Sequence, residues 1–422
     1  FCGPLRIMST TTDFIRLLQE RRQLHTCSDE AGLRARFGEG IVTAYIGYDC
    51  TAPSLHVGHL ANMMMLRRLQ QVGGRPLVIM GGGTTKVGDP SFRADQRTMT
   101  SYETIQSNMA SIKTAFDKVL TFGSGPTDAV MIDNAEWLDP LEYIPFLREV
   151  GRHFSVNRML SFDSMKSRME GDQSLSFIEL NYMILQAYDF VELYKRYGCV
   201  LQMGGSDQWG NIVNGIDLGH KMLGVQLYGT TCPLLTTASG AKMGKTASGA
   251  VWLNEDALPA FDFWQYWRNT EDGDVGKFLR IFTDMHEDEI VRLETLSGAE
   301  INEAKKILAT EITALVRGRD AAERAAAAAA GQFGGAGSSD LPRASFARDK
   351  LSAGLPLATL IAAVGLTASA SEARRQIAGG GVKLNDVAVS DEKAMVSLDA
   401  ANADGLIKLS LGKKRHILVE PA

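Results

Sequence analysis

Apolar positions in the first half of the chain switch repeatedly between the two-residue period of a strand and the 3.6-residue period of a helix. Ile41 to Tyr48 is rich in β-branched and aromatic side chains and predicts a strand, with Gly47 and Asp49 at its end and a turn at Pro53-Ser54. Gly58 to Val72 then takes helical spacing through Met63, Met64, Leu66 and Leu69. Pro76 to Met80 is a buried strand closing in Gly81-Gly82-Gly83, Glu103 to Leu120 a helix, and Ala129 to Ile132 a short strand. Phe177 to Tyr197 predicts a long helix, Val200 to Met203 a strand and Gly210 to Leu223 a helix. This alternation predicts an α/β fold with a doubly wound parallel sheet. Ligands of such sheets bind beyond the carboxyl ends of the strands. Gly47 and Asp49, Gly81 to Asp89, and Gly204 to Gln208 all fall at such ends, which points to one shared cleft.

After Pro233 the pattern turns helical, as in Ala257 to Arg268 and Ile301 to Arg324. The alanines Ala325 to Ala330 lead into G-Q-F-G-G-A-G-S-S-D-L-P, a flexible linker by composition, and Leu355 to Val419 reads as a separate compact unit. The expected domains are therefore 8–235 (with an inserted helical segment at about 122–200), 236–330, a linker at 331–345, and 346–422. No internal repeat is apparent.

A chain of 422 residues with 45% hydrophobic and 22% charged residues has ample core for two or three domains, and no apolar run approaches a membrane span. The net charge of −5 argues against a general nucleic-acid coat. The charge is uneven, because Leu341 to Ala422 carries 11 Lys+Arg against 8 Asp+Glu and leaves 33 against 41 elsewhere. A locally basic tail suits an anionic partner. Five scattered cysteines with no C-x-x-C argue against a disulfide framework or structural zinc, and for a reducing compartment. Met8 reads as a plausible start. The seven residues before it, too short for a signal peptide, are set aside.

Four stretches carry candidate chemistry. His56 and His59 fall at the strand-to-helix junction, three apart, with Gly58 between them. A helix start is a ready phosphate site, and a bare glycine lets a flat ligand approach; the alternatives are a metal pair or coincidence. Tyr182, Gln186 and Asp189 form a polar stripe on one helix, facing either solvent or a pocket for an ammonium and a ring hydroxyl. G-G-S-D-Q-W-G (204–210) lets the backbone approach a nucleoside, with Asp207 accepting from hydroxyls, or is merely a turn and a helix cap. K-M-G-K-T (242–246) offers two lysines on a glycine-bounded loop that can close over a triphosphate, though solvated loops share this look. Arg93 and Arg97 follow Gly88-Asp89-Pro90 and could meet phosphates or form an ordinary basic edge.

In combination, H-V-G-H resembles the first signature of class I aminoacyl-tRNA synthetases and K-M-G-K-T the second. Y-I-G-Y-D-C-T-A-P-S-L-H-V-G-H-L, V-G-D-P-S, Y-M-I-L-Q-A-Y-D-F and G-G-S-D-Q-W-G-N resemble the bacterial-type tyrosyl members. S-E-A-R-R-Q-I-A-G-G-G-V-K-L-N-D (371–386) resembles an RNA-binding module shared with a ribosomal small-subunit protein. The resemblance runs from about Asp13 to Val419. It implies a Rossmann-like catalytic domain, a helical anticodon-arm domain and a small α+β RNA-binding module. It also implies tyrosine, ATP with its Mg2+ and tRNA as partners, no protein metal site, a homodimer joined through about Phe122 to Arg168, and a cytoplasmic setting. Tyr45 and Asp189 would then bind the phenol hydroxyl, Asp89, Tyr182 and Gln186 the ammonium, and Gln208 the carboxylate, with Asp49 close to the substrate backbone. Gly47, Gly205 and Asp207 would contact adenosine. Thr51, His56 and His59 would stabilise the phosphates, with Lys242, Lys245 and Thr246 on one loop and Arg93 and Arg97 on the opposing one. Gly244 stands where the general signature has Ser, and Arg93 where Lys is expected. The competing readings are a tryptophan ligase, which should lack an acceptor like Asp189, and a non-catalytic RNA-binding protein that kept the fold.

Overall fold

The computed structural model describes residues 13–89, 100–162, 165–166, 169, 176–238, 240, 243–246, 249–334, 342–402, 405–412 and 415–421, with the side chains of 245–246 and 331–334 outside that description. The chain forms two compact units, Phe1–Ala326 and Ala327–Ala422.

The first unit is built on six strands: β1 (Thr26–Cys27), β2 (Thr43–Tyr48), β3 (Arg75–Met80), β4 (Val130–Asp133), β5 (Cys199–Gly205) and β6 (Tyr228–Cys232). Their order is β1-β6-β5-β2-β3-β4. All pairs are parallel except β1–β6, a short antiparallel edge that the sequence pattern does not announce. Every residue of β5 and β6 is buried, as expected of strands covered on both faces. The chain runs outward from β2 through β3 to β4, then returns to β5 on the other side of β2. That reversal opens a crevice between β2 and β5 at their carboxyl ends.

Helix Val57–Gln71 follows β2 and buries Leu60, Met63, Met64, Leu66 and Leu69. Near its far end Arg67 and Arg68 both bind Asp284, Arg67 Nη2 at 2.6 Å, and Gln71 Nε2 donates to the same carboxylate at 2.9 Å. Burial alone would raise the Asp284 carboxyl, but the two guanidiniums outweigh it and hold it well below the usual carboxylate range. Helix Phe177–Tyr197 begins with a Ser176/Glu179 capping box and stops at Gly198, which takes a left-handed φ of 63°. The helices Ala260–Arg268, Val275–Phe282, Glu287–Glu294 and Ile301–Arg317 belong to this same unit. The single helix expected over Ile301 to Arg324 is two, broken at Gly318 with φ 91°.

The second helix of that pair, Arg319–Gly334, runs through the alanines into the first residues of the expected linker. Polyalanine is the strongest helix-forming composition, so the tract continues the helix. The later part of the expected linker contains a strand, Arg343–Phe346, which pairs in parallel with the last strand, Arg415–Pro421. With Ile407–Leu411, Val382–Leu384 and Val387–Val389 these form a five-stranded sheet. Helices Leu357–Ala363 and Ala370–Ala378 supply Leu357, Leu360, Ile361 and Ile377 to its core.

Candidate active site

The carboxyl ends of β2, β3 and β5, with helices Val57–Gln71 and Phe177–Tyr197, enclose a cavity of about 410 Å³. That is enough for a small metabolite joined to a nucleotide. Tyr45, Gly47, Asp49, Thr51, His56 and His59 line it from the β2 side, and Asp89, Tyr182, Gln186, Asp189, Asp207 and Gln208 from the other elements. Gly205 ends β5 just outside the lining. The polar stripe on helix Phe177–Tyr197 therefore faces a pocket and not solvent. Arg93, Arg97 and Lys242 lie outside the described residues, and for Lys245 and Thr246 the description covers backbone alone.

At the base of the cavity Tyr45 is 1% exposed, and its hydroxyl has no protein hydrogen-bond partner among the described residues. Burial, with the nearby Asp189 charge, pushes its phenol well above the ordinary range, so it stays a neutral donor. Asp189 is buried too, and burial raises its carboxyl to about 7 against the opposing hydrogen bonds. Those bonds come from Asn134 Nδ2 at 3.0 Å and Trp137 Nε1 at 2.8 Å. Asn134 also donates to Thr84 Oγ1 at 3.1 Å, and Thr84 donates to Asp49 Oδ1 at 2.9 Å. Asp49 in turn accepts from the Tyr182 hydroxyl at 3.2 Å, so a relay of fixed polar groups joins the two carboxylates.

A second network forms the side wall. Gln208 Nε2 donates to Asp89 Oδ2 at 3.0 Å, while Asn211 Nδ2 donates to Gln186 Oε1 at 2.9 Å and to Gln208 Oε1 at 3.1 Å. Asp49, Asp89, Tyr182 and Gln186 thus surround the middle of the cavity with acceptors, an arrangement suited to a cation such as an ammonium.

At the other end His56 is the N-cap of helix Val57–Gln71. Its Nδ1 accepts from Gly58 N at 3.1 Å, and His59 Nδ1 accepts from His56 N at 3.2 Å, a capping box made from two imidazoles. An Nδ1 that accepts carries no proton, so each neutral ring holds its proton at Nε2 and presents a donor there. The rings lie 4.0 Å apart. Gly58 is also required by the cap itself. A Cβ there would lie 2.8 Å from His56 Cε1, so the glycine lets the imidazole fold back and cap.

The second signature reaches the first through backbone. Val251 N donates to Gly244 O at 3.1 Å, and Val57 N donates to Val251 O at 3.0 Å. Gly244 has φ 103°, and a Cβ on it would sit 2.9 Å from His56 Nδ1.

Asn134, Trp137 and Gln202 belong to the site but carry no signal in the candidate motifs, and Thr84 is covered only by the strand-end range Gly81 to Asp89. The strand-end rule applied to Ala129–Ile132 leads directly to Asn134. Gln202 is the lone polar residue in V-L-Q-M, stands in register beside Tyr45, and is 2% exposed.

Dinucleotide-like topology, twin imidazoles at a helix start and a glycine-rich second loop define a nucleotide-dependent class I synthetase site. Residues 39–334 match the family described as tRNA synthetases class I (W and Y), and the chain belongs to that family. The most similar relatives include the tyrosine–tRNA ligase of Nitrobacter winogradskyi, 60% identical over 97% of this chain and 99% of that one. That of Brucella suis is 59% identical over the same shares. Among solved structures, a C-terminally truncated Aspergillus nidulans mitochondrial tyrosyl-tRNA synthetase superposes with a TM-score of 0.68 at 30% identity, covering 76% of this chain and 94% of that one. A Plasmodium falciparum tryptophanyl-tRNA synthetase, at 16% identity and a TM-score of 0.53, shares the fold.

Proposed function

We propose that this protein is a tyrosine–tRNA ligase. It joins tyrosine and ATP into tyrosyl-adenylate with release of pyrophosphate, then passes the tyrosyl group to the 3'-terminal adenosine of its tRNA. The observation that carries this reading is the base of the cavity. A fully buried tyrosine hydroxyl with no partner among the described residues, beside a buried carboxylate, calls for a ligand hydroxyl. A substrate phenol meets both, whereas phenylalanine or tryptophan would leave Tyr45 and Asp189 without it, at the cost of an unmet buried polar group.

We assign the roles as the family resemblance implies, and the cavity lining supports those of Tyr45, Asp49, Asp89, Tyr182, Gln186, Asp189 and Gln208. Tyr45 and Asp189 hold the phenol oxygen, Asp89, Tyr182 and Gln186 take the ammonium, Asp49 lies close to the substrate backbone, and Gln208 lies by the carboxylate. A carboxylate oxygen attacks the α-phosphorus of ATP in line, and pyrophosphate leaves with the electron pair of the broken P–O bond. This step needs no protein nucleophile or base, so positioning and charge stabilisation carry it. Thr51 and the Nε2–H donors of His56 and His59 face the phosphates. Lys242, Lys245 and Thr246, with Arg93 and Arg97, supply charge to the departing pyrophosphate, more useful there than on bound ATP. ATP enters as its Mg2+ complex, with Gly47, Gly205 and Asp207 against the adenosine.

The C-terminal sheet unit serves as an RNA-binding module. Support for a homodimer comes from Tyr143, Ile144, Val156, Phe177 and Ile178, large apolar side chains left exposed on one chain. No described helix is long and apolar enough to cross a membrane, and we place the activity in the cytoplasm.

Purified protein with tyrosine, Mg2+ and ATP should exchange labelled pyrophosphate into ATP. Exchange with tryptophan and not tyrosine would assign the sister activity, and none with either would reduce the chain to an RNA-binding protein.

A further inference from the structure

Helix Val275–Phe282 starts in a way that its own energetics do not favour. Asp274 is the N-cap, where aspartate ordinarily accepts from its own first turn, yet its side chain makes no such bond. Lys277 stands in the first turn, where a cation opposes the helix dipole. Both side chains turn to the segment that leads into K-M-G-K-T. Asp274 Oδ2 accepts from Ala238 N at 2.7 Å, and Lys277 Nζ donates to Thr236 O at 2.7 Å. The two charged groups lie 3.9 Å apart, and the Asp274 side chain is 4% exposed.

The anchored segment is tied onward by backbone. Met243 N donates to Leu235 O at 2.9 Å, which places the signature beside the anchored residues. From Gly244 the backbone bonds run through Val251 to Val57, the residue after His56. Local rules broken together, with both side chains aimed at one target, mark a place where function has been favoured over helix stability.

We propose that Asp274 and Lys277 are positioning residues for amino-acid activation. They fix Thr236 and Ala238 and, through the Leu235–Met243 bond, set where the second signature stands against His56. This rests on the reading of K-M-G-K-T as the polyphosphate-binding segment. It gives the helical segment a direct mechanical part in ATP use and none in tyrosine binding.

The test is pyrophosphate exchange on the full chain with Asp274→Ala and Lys277→Met. A small misplacement of charged groups typically costs on the order of 10- to 100-fold, so kcat/KM for ATP should fall by about that much. Tyrosine affinity without ATP, from equilibrium dialysis, and the melting temperature should stay at the parental values. Asp274→Asn and Lys277→Arg keep an acceptor and a donor and should recover most of the loss. Lys277→Met, at a partly exposed site, gives the same reading if Asp274→Ala does not fold. Unchanged ATP kinetics, or a loss shared equally by tyrosine binding and melting temperature, would overturn the proposal. Lys245→Ala runs in parallel: if it leaves exchange intact, the reading of the segment itself fails, whereas a crippled Lys245→Ala beside normal Asp274 and Lys277 variants defeats the positioning role alone.

Discussion

Replacing Tyr45 with phenylalanine should move stability and substrate discrimination in opposite directions. The change removes one oxygen from a side chain that is 1% exposed and whose hydroxyl has no protein partner among the described residues. A buried polar group left unmet costs about 1–3 kcal/mol, so the unloaded Tyr45→Phe protein should be as stable as the parent or more stable by up to that amount. With tyrosine bound, the variant lacks one neutral hydrogen bond, about 0.5–1.5 kcal/mol, or roughly two- to tenfold in affinity. Phenylalanine meanwhile gains, because its ring no longer covers an unmet hydroxyl. The two effects together should narrow the ratio of kcat/KM for tyrosine over phenylalanine by roughly 10- to 1000-fold. Urea melts and pyrophosphate exchange with each amino acid read both sides. A clear drop in stability with an unchanged ratio would refute the reasoning, since it would mean that Tyr45 is a packing residue with a protein partner.

Asp189 sets a pH dependence. Its folded carboxyl stands at about 7, above an unfolded value of about 4, so its stability contribution is complete below pH ~4 and is lost as pH rises through 7. Asp189→Asn cannot ionise, and relative to the parent it should gain roughly 2–3 kcal/mol between pH 5 and pH 8 in urea melts; parallel curves would contradict this. Asp284→Ala leaves Arg67 and the fully buried Arg68 uncompensated and should cost about 3 kcal/mol in a denaturant melt, whereas a loss under 1 kcal/mol would show the cluster to be ordinary surface pairing. Gly244→Ala meets both an unfavourable φ and the His56 ring, so exchange should fall roughly tenfold or more with tyrosine affinity unchanged, and parental exchange would rule out the close approach of the two signatures.

Much of the site was legible because its residues sit where backbone geometry puts them. Strand-to-helix periodicity located β2, β3 and β5, and the ends of those strands carry Asp49, Asp89 and Gln208. Helical spacing alone placed Tyr182, Gln186 and Asp189 on one stripe, but only tertiary packing decides that the stripe faces a pocket. The relay was not legible as a connected unit, because Thr84 follows β3 while Asn134 and Trp137 follow β4, and they meet Asp49 and Asp189 only once the sheet is assembled. A second role of Gly58 was not legible for a related reason. Its bareness serves the His56 cap, a contact two residues away that depends on the rotamer of His56. The linker was overdrawn because glycine and serine composition masked one strand whose partner lies more than seventy residues further on.

In the proposed ligase, one crevice holds a phenol clamp at its base and a polyphosphate site at its mouth. A crystal structure with a non-hydrolysable tyrosyl-adenylate analogue tests it most directly. The phenol oxygen should lie within hydrogen-bond distance of both Tyr45 and Asp189, and the phosphate mimic against the imidazoles of His56 and His59. An analogue bound in the reverse direction, or with its ring away from Tyr45, would contradict it.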